Sequence, residues 1–181
     1  GFWVGNEKLE ISYKTGKDFN YFRDYITLDN INTLAQKGLK SINRDNVDVA
    51  SLDLDGNDYH LIEDLLKNNF KPKLFIVEYN AKFPPPIRWI MEYNKTHTWT
   101  EDDYFGASIS SFNDLFERNE YKLICCNSQT GANAFFIKKE FLHLFVDVPK
   151  KIEDLYVGPR YLLHTKFGHS QSLKTINKFF N

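Results

Sequence analysis

The chain has 181 residues, and 42% of them are hydrophobic, enough to bury the core of one domain and too many for a disordered chain. Its net charge is −1 with no block of Lys and Arg, which argues against nucleic acid as a partner, because phosphate recognition needs clustered cations. No apolar stretch approaches a membrane span, and the two cysteines, Cys125 and Cys126, are adjacent, which rules out a disulfide framework and suits a reducing, cytoplasmic setting.

Phe2, Trp3 and Val4 read as a buried strand, with a turn at Gly5, Asn6 and Glu7. A domain rarely begins with its own core, so the expectation is a piece of a longer protein. Residues 21–26 read as the next strand. Thr27 or Asp29 is placed to cap a helix whose apolar face is Ile31, Leu34, Ala35 and Leu39, with Gly38 as its C-terminal cap. Residues 47–56, VDVASLDLDG, form a short apolar run without helical spacing that ends in acids and a glycine. Asn57 or Asp58 caps a second helix with Leu61, Ile62, Leu65 and Leu66 as its buried stripe. After Pro72, residues 74–79 read as another buried strand.

Strand, helix, strand, helix, strand is the order of a parallel doubly wound sheet. It breaks at Pro84, Pro85 and Pro86, and residues 87–104 read as a long loop of the kind that covers a site. Trp89, Trp99 and Tyr104 in it either stack on a ligand or fill a small core beneath the loop. Ser108 or Ser110 caps a helix with Ile109, Phe112, Leu115 and Phe116. Residues 121–127 and 132–137 read as strands of an antiparallel hairpin joined by SQTG, and 141–145 as a short helix. The division expected is an α/β domain over 1–150 with an extension, 151–181, packed on it.

The ends of two strands carry the candidate chemistry. Asp53 and Asp55 are two apart and point the same way on an extended chain, so they repel unless a cation, donors or a shared proton holds them. Glu78 and Asn80 end the next buried strand, and an acid in a run as apolar as LFIV is costly without a partner. Ligands of open α/β sheets bind at the carboxyl ends of strands, so both ends are expected at one site. The plainer alternatives are that Asp53 or Asp55 caps the next helix and that Asn80 turns the chain. His60 is a candidate general base or a partly exposed helix residue, while His97, His164 and His169 receive no role.

The segments SLDLDGNDY (51–59), IVEYN (76–80), YFGASI (104–109) and CNSQTGANAFFI (126–137), in this order, resemble the FkbM-like family of S-adenosylmethionine-dependent methyltransferases over roughly 27–138. The resemblance implies a Rossmann-like class I methyltransferase sheet, mostly parallel, finished by a C-terminal antiparallel hairpin, and O-methylation of a sugar or other small metabolite. It implies that Glu7 sits near the acid that binds the cofactor ribose, with Asp53 as a second cofactor-binding acid; Asp53 and His60 are the candidate catalytic groups. Strand ends of this kind also resemble those of catechol-type methyltransferases, which implies Mg²⁺ on Asp53, Asp55, Glu78 and Asn80. No GxG occurs in the chain, so the glycine-rich cofactor loop and the central first strand before it are missing. The expectations that follow are weak cofactor binding by this chain alone and an open strand edge that favours homo-oligomers.

The DLDG tetrad also fits a haloacid-dehalogenase-like phosphatase with Asp53 as nucleophile and Asp55 as acid/base. That family expects Thr or Val where Asn57 stands, and a later acidic pair for Mg²⁺, for which only Glu101, Asp102 and Asp103 are present. A non-catalytic binding module is the third alternative. An EF-hand loop fits poorly, since Ser51 and Ile62 would occupy its first and twelfth positions.

Overall fold

The computed structural model describes residues 1–8, 20–160 and 172–179; His164 and His169 lie outside them. Two short strands open the fold. β1 (Phe2–Gly5) and β2 (Asn20–Arg23) pair in parallel, with Phe2 opposite Asn20 and Gly5 opposite Arg23. A second sheet holds β3 (Val49–Leu52), β4 (Leu74–Glu78), β5 (Tyr121–Cys126) and β6 (Asn133–Lys138) in the order β3-β4-β6-β5. β3 and β4 are parallel, with Val49 opposite Leu74. β6 runs back from the hairpin into the place beside β4 and is antiparallel to both its neighbours.

The architecture is therefore α/β with mixed pairing. The expectation is a mostly parallel sheet lacking its first strand; β3 and β4 share one sheet as expected, and the described residues form two sheets with two parallel and two antiparallel pairings. The sheets part because β1 and β3 do not pair. Phe2, Trp3 and Val4 face Val49, Ala50, Ser51 and Leu52 across a cleft of about 640 Å³.

Three helices cover the strands: α1 (Ile31–Ser41), α2 (Asp58–Lys67) and α3 (Ile109–Arg118). The alternation of β4 decides which face they cover. Phe75 and Val77 are wholly buried, whereas Leu74, Ile76 and Glu78 on the opposite face are partly exposed. On the buried face α2 contributes Tyr59, Ile62 and Leu66, and α3 contributes Phe112, Leu115 and Phe116. Phe116 stacks on Phe136 of β6 with ring centroids 4.1 Å apart. Ser108 is the α3 cap, accepting from the Ser111 N–H as its position predicts.

Three expectations shift on contact with packing. β2 ends at Arg23, and Asp24, Tyr25 and Ile26 leave it to line a cleft. The N-cap position of α1 is Asn30 and not Thr27 or Asp29, and no side chain caps it; the Asn30 side chain accepts the Thr27 N–H instead. Gly38 lies inside α1 and is no cap. The Phe2 ring presses on it so closely that a Cβ there would sit 2.3 Å from Phe2 Cδ2.

The loop expected over 87–104 encloses its own small core, where Phe83 stacks on Trp89 at 4.5 Å beside Met91. Trp89 therefore packs and does not face a ligand. A 3₁₀ turn (Lys139–Leu144) follows β6, and α4 (Ile152–Leu155) places Leu155 in the main core. The described end of the chain, α5 (Leu173–Lys178), is tied to the loop. Asp103 accepts from the Ser172 N–H at 2.8 Å and the Thr175 hydroxyl at 2.9 Å.

Candidate active site at the strand ends

The carboxyl ends of β1 and β3 open onto one cleft of about 470 Å³, lined by Glu7, Asp24, Asp53, Asp55, Asn57 and His97 among others. The acidic turn after β3 is held by an acid the sequence did not single out for that task. Asp58, with no exposure, accepts from the Leu54 N–H at 2.9 Å and the Gly56 N–H at 3.0 Å. Burial drives its carboxyl up to about 6, against those two bonds and with the Asp53 charge adding to the rise. Because Asp58 satisfies the turn, Asp53 and Asp55 remain open to the cleft. Asp55 takes φ of 52°, a left-handed backbone that costs a non-glycine residue and turns the chain sharply here.

Asp53, Asp55 and Glu78 each bring one carboxylate oxygen within 4.8 Å of the others. Burial, and then the Asp55 charge, raises the Asp53 carboxyl; burial raises Asp55, with His97 opposing. Glu78 is pushed up to about 10, first by burial and then by Asp53, Asp58 and Asp55. Its Oε2 is buried with no hydrogen-bond partner. A carboxyl without a donor, beside two acids, suits a cation in place of the missing donors.

Asn80 and His60 do not share this task. Asn80 is fully buried, and its amide donates to the carbonyls of Asp103 and Phe105 while its oxygen accepts the Lys82 N–H. It braces the loop from inside the core. His60 has Nε2 2.7 Å from the Met91 carbonyl oxygen and packs edge-on against Tyr93, away from the residues of the acidic cleft. The Glu101–Asp103 cluster is likewise engaged, since Asp103 anchors α5 and Asp102 accepts from the Tyr104 N–H at 2.9 Å.

The histidine at the cleft is His97, which sequence reasoning left without a role. Its ring lies on Gly56, where a Cβ would meet His97 Cδ2 at 2.4 Å, so the glycine of DLDG is the seat of the imidazole. The loop is stitched to the acidic turn by a reciprocal pair. Asn57 Nδ2 donates to the Asn94 carbonyl at 2.8 Å, and the Asn94 N–H donates to Asn57 Oδ1 at 3.1 Å. Tyr25 adds a bond from its hydroxyl to the His97 carbonyl at 2.7 Å. Burial lowers the His97 pKa, opposed by a hydrogen bond to the Asp55 backbone. On the opposite wall, the Tyr21 hydroxyl donates to the Glu7 carbonyl and fixes the turn that carries Glu7.

Compared with models of known protein families the chain matches none, and compared with curated proteins it finds no match.

Proposed function

We propose that the protein is an S-adenosylmethionine-dependent O-methyltransferase acting on a sugar or other small metabolite. The observation that carries this is the cleft that joins Glu7 after β1 to Asp53 after β3. Support also comes from strand order: β2-β1, a gap, then β3-β4-β6-β5, with the last strand pair antiparallel. A class I methyltransferase sheet has its first strand where the gap lies and finishes in the same kind of hairpin.

Glu7 would accept hydrogen bonds from the cofactor's ribose hydroxyls, and Asp53 would lie beside its charged end. The cofactor supplies an electrophilic methyl group on a sulfonium. Asp53, Asp55 and Glu78 would hold a divalent cation such as Mg²⁺, which polarises an acceptor hydroxyl. The loop of His97, Thr98 and Trp99 forms one wall of the cleft.

Calorimetry with S-adenosylhomocysteine tests this. We predict binding that is weak, on the order of 100 μM to 1 mM, because no glycine-rich loop is present, and that Glu7→Ala weakens about tenfold further. Absence of any binding, with Mg²⁺-dependent hydrolysis of a phosphoester in its place, would overturn the proposal in favour of a phosphatase. Absence of both would leave a binding module.

A further inference from the structure

A second cavity, of about 790 Å³, shares His97 with the acidic cleft and is walled by Tyr93, Asn94, Tyr104, Lys174 and Asn177. Its charge is the reverse of its neighbour's. Lys174 Nζ lies 5.5 Å from the centroid of the Tyr104 ring, and among the described residues no carboxylate pairs with it. The other cation of the cavity, Lys178, stands 3.9 Å from Glu92. Lys174 also acts on His97: after burial, its charge adds to the lowering of the imidazole pKa, against the hydrogen bond to the Asp55 backbone and the charges of Asp102 and Asp55. The side-chain amide of Asn177 is without a partner among the described residues.

Amides, and an ammonium that lies over an aromatic ring and pairs with no carboxylate among the described residues, suit a hydroxylated anion in a polar cavity. Hydroxyls meet the side-chain NH₂ groups of Asn94 and Asn177, and the anionic group meets the Lys174 ammonium, which lies over the Tyr104 ring. The two cavities are held in register, because Asn94 and His97 sit on the loop that Asn57 and Tyr25 bind to the acidic turn. We infer that this cavity is the acceptor chamber and takes a small anionic polyol, its charge a carboxylate or a phosphate. The word acceptor rests on the methyltransferase proposal; the anion site itself does not.

The test is an NMR titration of the backbone amides of the labelled chain with glucuronate, glucose 6-phosphate and neutral glucose, each to about 20 mM. The amides of Asn94, His97, Tyr104 and Lys174 shift with at least one anion and not with glucose, and the tighter anion identifies the charged group. Lys174→Glu weakens that binding about tenfold or more. Lys174→Gln, which adds no like charge, gives the same direction if the first variant fails to fold. No shift with either anion, equal shifts with glucose, or full binding by the Lys174 variants would overturn the inference. Anion binding without S-adenosylhomocysteine binding keeps the chamber and removes the methyltransferase, and the converse removes the chamber alone.

Discussion

Asp58 takes the two backbone N–H bonds inside the acidic turn, and Glu78 takes none for its buried Oε2. The two acids therefore respond differently to pH. A carboxyl whose folded pKa is raised contributes stability that is present below its unfolded value and is lost as pH rises through the folded value. For Glu78 that window runs from 4.5 to about 10, and for Asp58 from 3.8 to about 6. We predict that the melting temperature of the metal-free chain falls by roughly 5–10 °C between pH 5 and pH 9. Glu78→Gln removes most of the fall above pH 6, and millimolar Mg²⁺ raises the melting temperature at pH 9 in the parent chain but not in the variant. A flat pH profile, or an equal Mg²⁺ effect in both proteins, would sink the assignment of Glu78 to a cation.

At the scale of elements, the order of strands and helices is legible in the sequence, because period and punctuation are local. The 3.6-residue stripes of α2 and α3 and the cap at Ser108 stand as expected. What escapes is whatever depends on which element comes to rest against another. Gly38 has the look of a helix terminator, but Phe2 needs its missing Cβ. His60 lies next to the acidic turn in sequence and its ring turns to the Met91 carbonyl, whereas His97 arrives at that turn through Asn94 and Asn57. No periodicity encodes that approach. Of the acids after β3, any can hold the turn on paper; the geometry selects Asp58, the first residue of α2, while the N-cap position is Asn57 without a side-chain cap bond. Ser108 carries the clearest element-level consequence. Its buried Oγ accepts from the N–H groups of both Ser111 and Trp89, linking α3 to the loop. We predict that Ser108→Ala costs about 2–3 kcal/mol in denaturant unfolding, since both donors lose their partner. A loss within experimental error of zero would contradict this.

For the molecule as a whole, the gap between β1 and β3 governs behaviour. Trp3 and Val49, on its two sides, are 57% and 51% exposed, unusual for strand residues of these types. Strand edges bordered by apolar side chains pair with other chains. We predict concentration-dependent self-association by light scattering, reduced by Val49→Lys, which places a charge on that edge. A chain that stays monomeric at high concentration would show that the gap is closed in solution.

The most direct measurement is an NMR titration of the chain with S-adenosylhomocysteine, read residue by residue. If Glu7 and Asp53 form a cofactor site, the shifts concentrate in the turn after β1, at Asp24–Ile26 and across Leu52–Asn57, and Glu7→Ala diminishes them. Shifts confined to the β5–β6 hairpin or to α3, or none up to saturating ligand, would contradict a methyltransferase site in this cleft.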